Sequence, residues 1–167
     1  MIIDDSWDKK SGSSIHIEGD FIVNYKSKYQ LIEVFQTKRF GKLLRLDGVI
    51  QLTEFDEANY HEMLAHVPLN VHDKPDNVLI IGGGDGGIVR EVVKHKKVKS
   101  INLVEIDNHV IEISKKYFPN ISCGLDDSRV TIMNQDGAEY IKECTNLYDI
   151  IIIDSTFSCL TTSLTIP

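Results

Sequence analysis

Hydrophobic and polar positions follow two different rhythms along this chain, and the change comes near residue 76. Up to residue 55, β-branched and aromatic side chains alternate with polar ones in short runs at 14–17, 21–26, 30–37, 41–46 and 49–53. A period of two turns one face of each run to a core and the other to water, which is the pattern of antiparallel strands. Glu18-Gly19-Asp20 and Asp47-Gly48 provide turn residues between them. A helix is expected over 56–66, with Asp56 as its N-cap and Pro68 as its stop. Beyond a linker at 72–76, alternation gives way to unbroken apolar runs at 77–81, 100–105, 129–134 and 149–154. Parallel strands buried on both faces read this way. Between them, 86–95, 108–117 and 138–144 have helical spacing, with Ile88, Val89, Val92 and Val93 on one face. Strand alternating with helix predicts a doubly wound α/β fold. The expected organisation is an antiparallel β domain at 1–55, a connecting helix and linker at 56–76, and a Rossmann-like domain at 77–167.

The first apolar run leads directly into Gly82-Gly83-Gly84-Asp85-Gly86-Gly87, and a helix is expected to start there. Gly82, Gly84 and Gly87 satisfy G-x-G-x-x-G in its proper setting, and Glu105 ends the second run, where a carboxylate can accept from ribose hydroxyls. The glycines by themselves indicate a nucleotide-like ligand. Asp85 narrows the choice, because a dinucleotide would place its pyrophosphate at this helix start. Two like charges a few ångströms apart in a partly desolvated cleft repel by on the order of kilocalories per mole. A cationic S-adenosyl compound is favoured instead, although Asp85 could also serve simply as a helix cap. Asp136 follows the third run and Asp154 ends the fourth. Ligand crevices in open α/β sheets lie at the carboxyl ends of the strands, so Asp85, Glu105, Asp136 and Asp154 should converge there.

Composition narrows the partners. The net charge of −7 argues against nucleic acid, which is bound through clustered Lys and Arg. The basic cluster Lys94, His95, Lys96, Lys97 and Lys99 falls where a helix should end, and there it complements the helix dipole. No apolar run approaches the roughly 18 residues that span a bilayer, and MIIDDSWDKK has no signal-peptide pattern, so no membrane partner and a cytoplasmic location are expected. Cys123, Cys144 and Cys159 are too scattered for a disulfide framework, and His16, His61, His66, His72, His95 and His109 suggest no metal constellation.

IGGGDGGIVREVVKH, LVEID, QDGAEY and YDIIIIDS resemble, in order, the motifs of the polyamine aminopropyltransferases, the spermidine synthase family. SKYQ, GKLLRLDGVIQLTEFDEANYHEM and HVPL resemble that family's N-terminal β domain and the helix after it, so the likeness runs from about Trp7 to Ser155. It implies a Rossmann-like S-adenosylmethionine-dependent transferase fold, preceded by a small antiparallel β domain. It also implies transfer of an aminopropyl group from decarboxylated S-adenosylmethionine, a co-substrate rather than a prosthetic group, to putrescine, giving spermidine and methylthioadenosine. By this resemblance Gln30, Gly82, Gly84, Asp85, Glu105, Asp136 and Gly137 bind the adenosyl donor, with Glu105 on the ribose and Asp136 near the adenine amino group. Tyr60, His61 and Asp85 line the meeting point of donor and acceptor, Asp154 is the proton acceptor, and association into dimers or tetramers through the β domain is implied.

Two features test the resemblance. Ordinary S-adenosylmethionine methyltransferases, an alternative reading, carry an acidic residue where this chain has Ile80, and they bind a donor whose carboxylate Asp85 would repel. The family continues beyond Asp154 as D-S-[ST]-D-P-x-G-P and then through further strands and helices. Here Phe157 takes the place of the aspartate that would hold the acceptor amine, and SCLTTSLTIP follows. A C-terminally shortened family member with an altered 3′ coding end is therefore expected, its sheet incomplete and its fourth parallel strand a hydrophobic edge. A non-catalytic fragment that binds methylthioadenosine or oligomerises is the second alternative.

Overall fold

The computed structural model describes residues 1–5, 12 and 15–155. Ser14, at the head of the first expected strand, and the tail with Phe157 and Cys159 lie outside the described residues. The N-terminal sheet has five antiparallel strands in sequential order: β1 (Ile2–Asp4), β2 (His16–Lys26), β3 (Leu31–Thr37), β4 (Lys42–Leu46) and β5 (Val49–Thr53). The expected turn at Asp47-Gly48 joins β4 to β5. The one expected at Glu18-Gly19-Asp20 does not form. β2 runs straight through it, because Glu18 pairs with Ile2 on one side while Gly19 and Asp20 pair with Thr37 and Gln36 on the other. A bulge between Phe21 and Val23 bends the strand instead of reversing it.

Helix α1 (Glu57–Val71) starts as expected but continues past Pro68. Ala65 and Leu69 are buried on one face of it, and that packing outweighs the backbone hydrogen bond that Pro68 cannot donate in the last turn. Asp56 makes no side-chain cap; its Oδ1 accepts instead from Thr53 Oγ1 at 2.6 Å.

A parallel sheet follows in the order β8-β7-β6-β9, built from β6 (Asn77–Gly82), β7 (Ser100–Glu105), β8 (Val130–Asn134) and β9 (Ile150–Asp154). Helices α2 (Gly87–Val93), α3 (Asn108–Tyr117) and α5 (Gly137–Glu143) connect the strands, and the sequence pattern had missed a short α4 (Pro119–Ser122) and the 3₁₀ turn Cys123–Asp126. This is a Rossmann-like sheet whose order reverses between β6 and β9, and such a switch point opens a crevice at the strand C-termini. Its main core gathers Val78, Ile80, Ile101, Leu103, Ile150 and Ile152 against α1 and α2. A second core joins the two sheets, with Ile32, Val34, Leu44 and Leu52 meeting Val110, Phe118 and Ile121. Among the described residues no helix is long and apolar enough to cross a membrane.

Candidate active site

A cavity of about 350 Å³ opens at the C-terminal ends of the parallel strands. Its floor is the loop from β6 to α2. Gly82 has φ of 78°, and a Cβ there would lie 1.9 Å from the Asp154 carbonyl oxygen, so only glycine lets the loop lie against the end of β9. Gly83 N–H donates to that same carbonyl at 3.0 Å. Gly84 N–H donates to Glu105 Oε2 at 3.1 Å, while Glu105 Oε1 accepts from Asp107 N–H at 2.9 Å. Burial pushes the Glu105 carboxyl up to about 7, against the pull of these two N–H donors and with some help from the Asp107 and Asp85 charges.

Asp85 faces the cavity from the turn just before α2: its Oδ1 accepts from Gly87 N–H at 2.7 Å and lies 3.3 Å from His61 Nε2. The N-cap position of α2 is Gly86, so Asp85 ties down the first helical N–H from one residue before it rather than serving as the cap. Tyr60, one residue before His61 on α1, donates its hydroxyl to Asp154 Oδ1 at 2.8 Å. Burial, and then the Asp85 charge, push the Asp154 carboxyl up to about 6, although Tyr60 and His61 pull it back. Burial and the Asp154 charge likewise push the Tyr60 phenol upward. Asp136 caps α5 by accepting from Ala138 and Glu139 N–H groups at 2.7 and 3.3 Å, which presents Gly137 to the cavity.

Every candidate residue from the sequence lines this one cavity, including Gln30, which arrives from the N-terminal sheet. Gln30 is held there by donating Nε2 to Asp107 Oδ2 at 3.2 Å, an oxygen that also accepts from Ser27 Oγ at 2.6 Å. Sequence reasoning passed over Asp107 although it ends the LVEID motif; a fully buried acid is legible only when its partners, 77 and 80 positions away, are known. It also passed over the apolar wall of Leu44, Leu46, Ile81, Val104, Ile106 and Val110, which suits a flat aromatic base.

One expectation needs correction. The histidines as a set are scattered, but His61, Asp85 and Asp154 bring ligating atoms within 4.8 Å of one another. One imidazole and two carboxylates could hold a divalent transition metal. The same three groups fit an ammonium equally well, through hydrogen bonds and charge.

Residues 57–165 match the family model for the spermine/spermidine synthase domain, and residues 10–54 match that for the spermidine synthase tetramerisation domain. The polyamine aminopropyltransferase of Hydrogenobaculum sp. (strain Y04AAS1) is 57% identical over 131 residues, 78% of this chain and 47% of that protein. Polyamine aminopropyltransferase 1 of Aquifex aeolicus (strain VF5) is 55% identical over the same shares of the two chains. Among solved structures, spermidine synthase from Thermotoga maritima superposes with a TM-score of 0.89 at 42% identity, covering 93% of this chain and 54% of that one. A spermidine synthase in complex with the transition state analogue AdoDATO gives the same values. The chain spans about half the length of these relatives.

Proposed function

This chain belongs to the spermine and spermidine synthase family, and from that premise we propose that its crevice serves aminopropyl transfer from decarboxylated S-adenosylmethionine to putrescine. The observation that carries the reading is the placing of four carboxylates, Asp85, Glu105, Asp136 and Asp154, around one cavity at the switch point. A ligand with two cationic parts and several hydroxyl donors complements such a set. Glu105 takes the ribose hydroxyls, Asp136 and Gly137 the adenine edge, and Gln30 closes the adenosyl side. Tyr60, His61 and Asp85 receive the amine chains. Asp154 accepts a proton from the putrescine ammonium, and the freed nitrogen lone pair attacks the methylene carbon bonded to sulfur. The C–S bond breaks, its electron pair stays on sulfur, and neutral methylthioadenosine leaves beside protonated spermidine.

Asp154 is suited to the base's task, since a carboxyl raised to about 6 is ionised at neutral pH yet basic enough to share a proton. General base catalysis of this kind is typically worth about 10²–10⁴-fold. No prosthetic group or metal enters this chemistry, because the sulfonium is already a good leaving group. The methyl-transfer alternative loses support, since the matched relatives are aminopropyltransferases and Ile80 is buried where methyltransferases carry an acid. Half-exposed Phe21, Ile22 and Tyr25 on β2 suit self-association of the N-terminal sheet, so a homodimer or homotetramer belongs to the same reading, as do a cytoplasmic location and the division at 1–55, 56–76 and 77–167.

Calorimetry with methylthioadenosine and with putrescine, followed by an assay for spermidine formed from the decarboxylated donor, tests the proposal. Binding of both ligands with turnover that Asp154→Asn abolishes is the expected result. Binding of methylthioadenosine without turnover would assign the non-catalytic role, and tight NAD binding would overturn the adenosyl reading altogether.

A further inference from the structure

We propose that Glu57, braced by Arg90, is a positioning residue that aims His61 Nε2 into the amine end of the crevice; the inference deepens the aminopropyl-transfer reading and rests on it. Glu57 and His61 stand one turn apart on α1 and share a face. The Glu57 carboxylate is almost buried and meets Arg90, on α2, through two parallel contacts, Nη1 to Oε1 and Nη2 to Oε2, each 2.9 Å. The same Oε2 lies 2.6 Å from His61 Nδ1. A guanidinium only donates, so both Glu57 oxygens act as acceptors toward it, and the atom facing Nδ1 is a carboxylate oxygen. Burial works to raise the Glu57 carboxyl, but Arg90 and His61 hold it below its ordinary range.

A carboxylate oxygen 2.6 Å from Nδ1 calls for a proton there, and with that nitrogen engaged the ring presents Nε2 to the crevice, 3.3 Å from Asp85 Oδ1. The ring has no room to turn over. It is 2% exposed, and even a Cβ on Gly87 would come within 2.3 Å of it. A buried ion pair adds little stability over an apolar filling of the same volume. What Glu57 and Arg90 supply is direction. The groups around His61 are then Glu57 and Tyr60 from α1, Arg90 from α2, Asp85 from the loop and Asp154 from β9. An amine entering there meets an imidazole edge fixed in place. Methylthioadenosine, held mainly on the Glu105 and Asp136 side, does not depend on that edge.

The test uses the whole chain with ¹⁵N-labelled histidine, together with Glu57→Gln and, from the other side of the pair, Arg90→Gln. In the parent chain the His61 long-range ¹⁵N correlations should show Nδ1 protonated, and the variants should shift or broaden them. Putrescine affinity should fall about tenfold, the weight of a charge-assisted hydrogen bond, while methylthioadenosine affinity stays within about twofold. Unchanged histidine spectra with unchanged putrescine affinity in folded variants would overturn the inference. So would a parallel loss of both ligands, which would mean general structural support. If the parent chain binds neither ligand, the aminopropyl reading fails, and the nitrogen shifts still decide whether Glu57 orients the ring.

Discussion

Glu105 and Asp154 end the two strands that flank β6, and burial raises both carboxyls, to about 7 and about 6. In the folded chain each holds its proton over a pH range in which the unfolded chain has lost it. For Glu105 that range runs from its ordinary 4.5 to about 7. Folding stability from this group is therefore fully present below pH 4.5 and falls as pH rises through about 7. Glu105→Gln should abolish this loss of melting temperature between pH 4.5 and about 7, while weakening methylthioadenosine binding because its amide nitrogen cannot accept from the second of the two backbone N–H groups, and scanning calorimetry with and without ligand measures both. Tyr60→Phe removes a hydrogen bond that lowers the Asp154 carboxyl, so Asp154 should titrate at higher pH in that variant. The Asp154 carboxyl resonance in a ¹³C-labelled chain and, under the proposed reaction, the acid limb of spermidine formation should move upward; a downward shift would contradict this account.

The elements differ in how openly the sequence declares them. β6 and β9 are recognisable because unbroken Val, Ile and Leu runs have few other uses, and the Asp47-Gly48 turn because its neighbours alternate cleanly. Glu18-Gly19-Asp20 misled because turn chemistry is local, while the pairing of β2 on both sides is not. Pro68 misled in the same way, since the burial of Ala65 and Leu69 that carries α1 past it depends on a sheet encoded later in the chain. The crevice acids stood out by their position at strand ends. Glu57 and Asp107 did not, because what distinguishes them is a partner from elsewhere in the chain. β9 lies at the edge of the parallel sheet, the place expected for the fourth apolar run. Ile150 and Ile152 are buried, but Ile151 and Ile153 are 53% and 58% exposed, and β9 pairs only with β6 among the described residues. An exposed apolar edge of this kind invites association. Ile151→Lys with Ile153→Lys should reduce concentration-dependent self-association in sedimentation velocity without loss of the far-ultraviolet helical signal.

At the scale of the molecule, the two sheets are tied by the core around Phe118 and by Asp107, which receives both Ser27 and Gln30. Asp107→Ala would leave Gln30 Nε2 without its acceptor and remove the side chain that caps α3 by accepting from His109 N–H, while Ser27 Oγ keeps the Gln30 carbonyl, and should destabilise the fold by about 1–3 kcal/mol in urea titrations. Because Gln30 reaches the cavity only through this joint, methylthioadenosine affinity should fall in the same variant. The glycine loop has a comparable bond to β9, since Gly83 donates to the backbone of the very residue assigned as base. Loop and base are therefore set relative to one another during folding, before any ligand arrives. Under the proposed reaction, the orientational entropy of placing a proton acceptor beside a sulfonium would then be met by the fold as it forms, and an encounter with substrate would have only to fill a geometry that already exists.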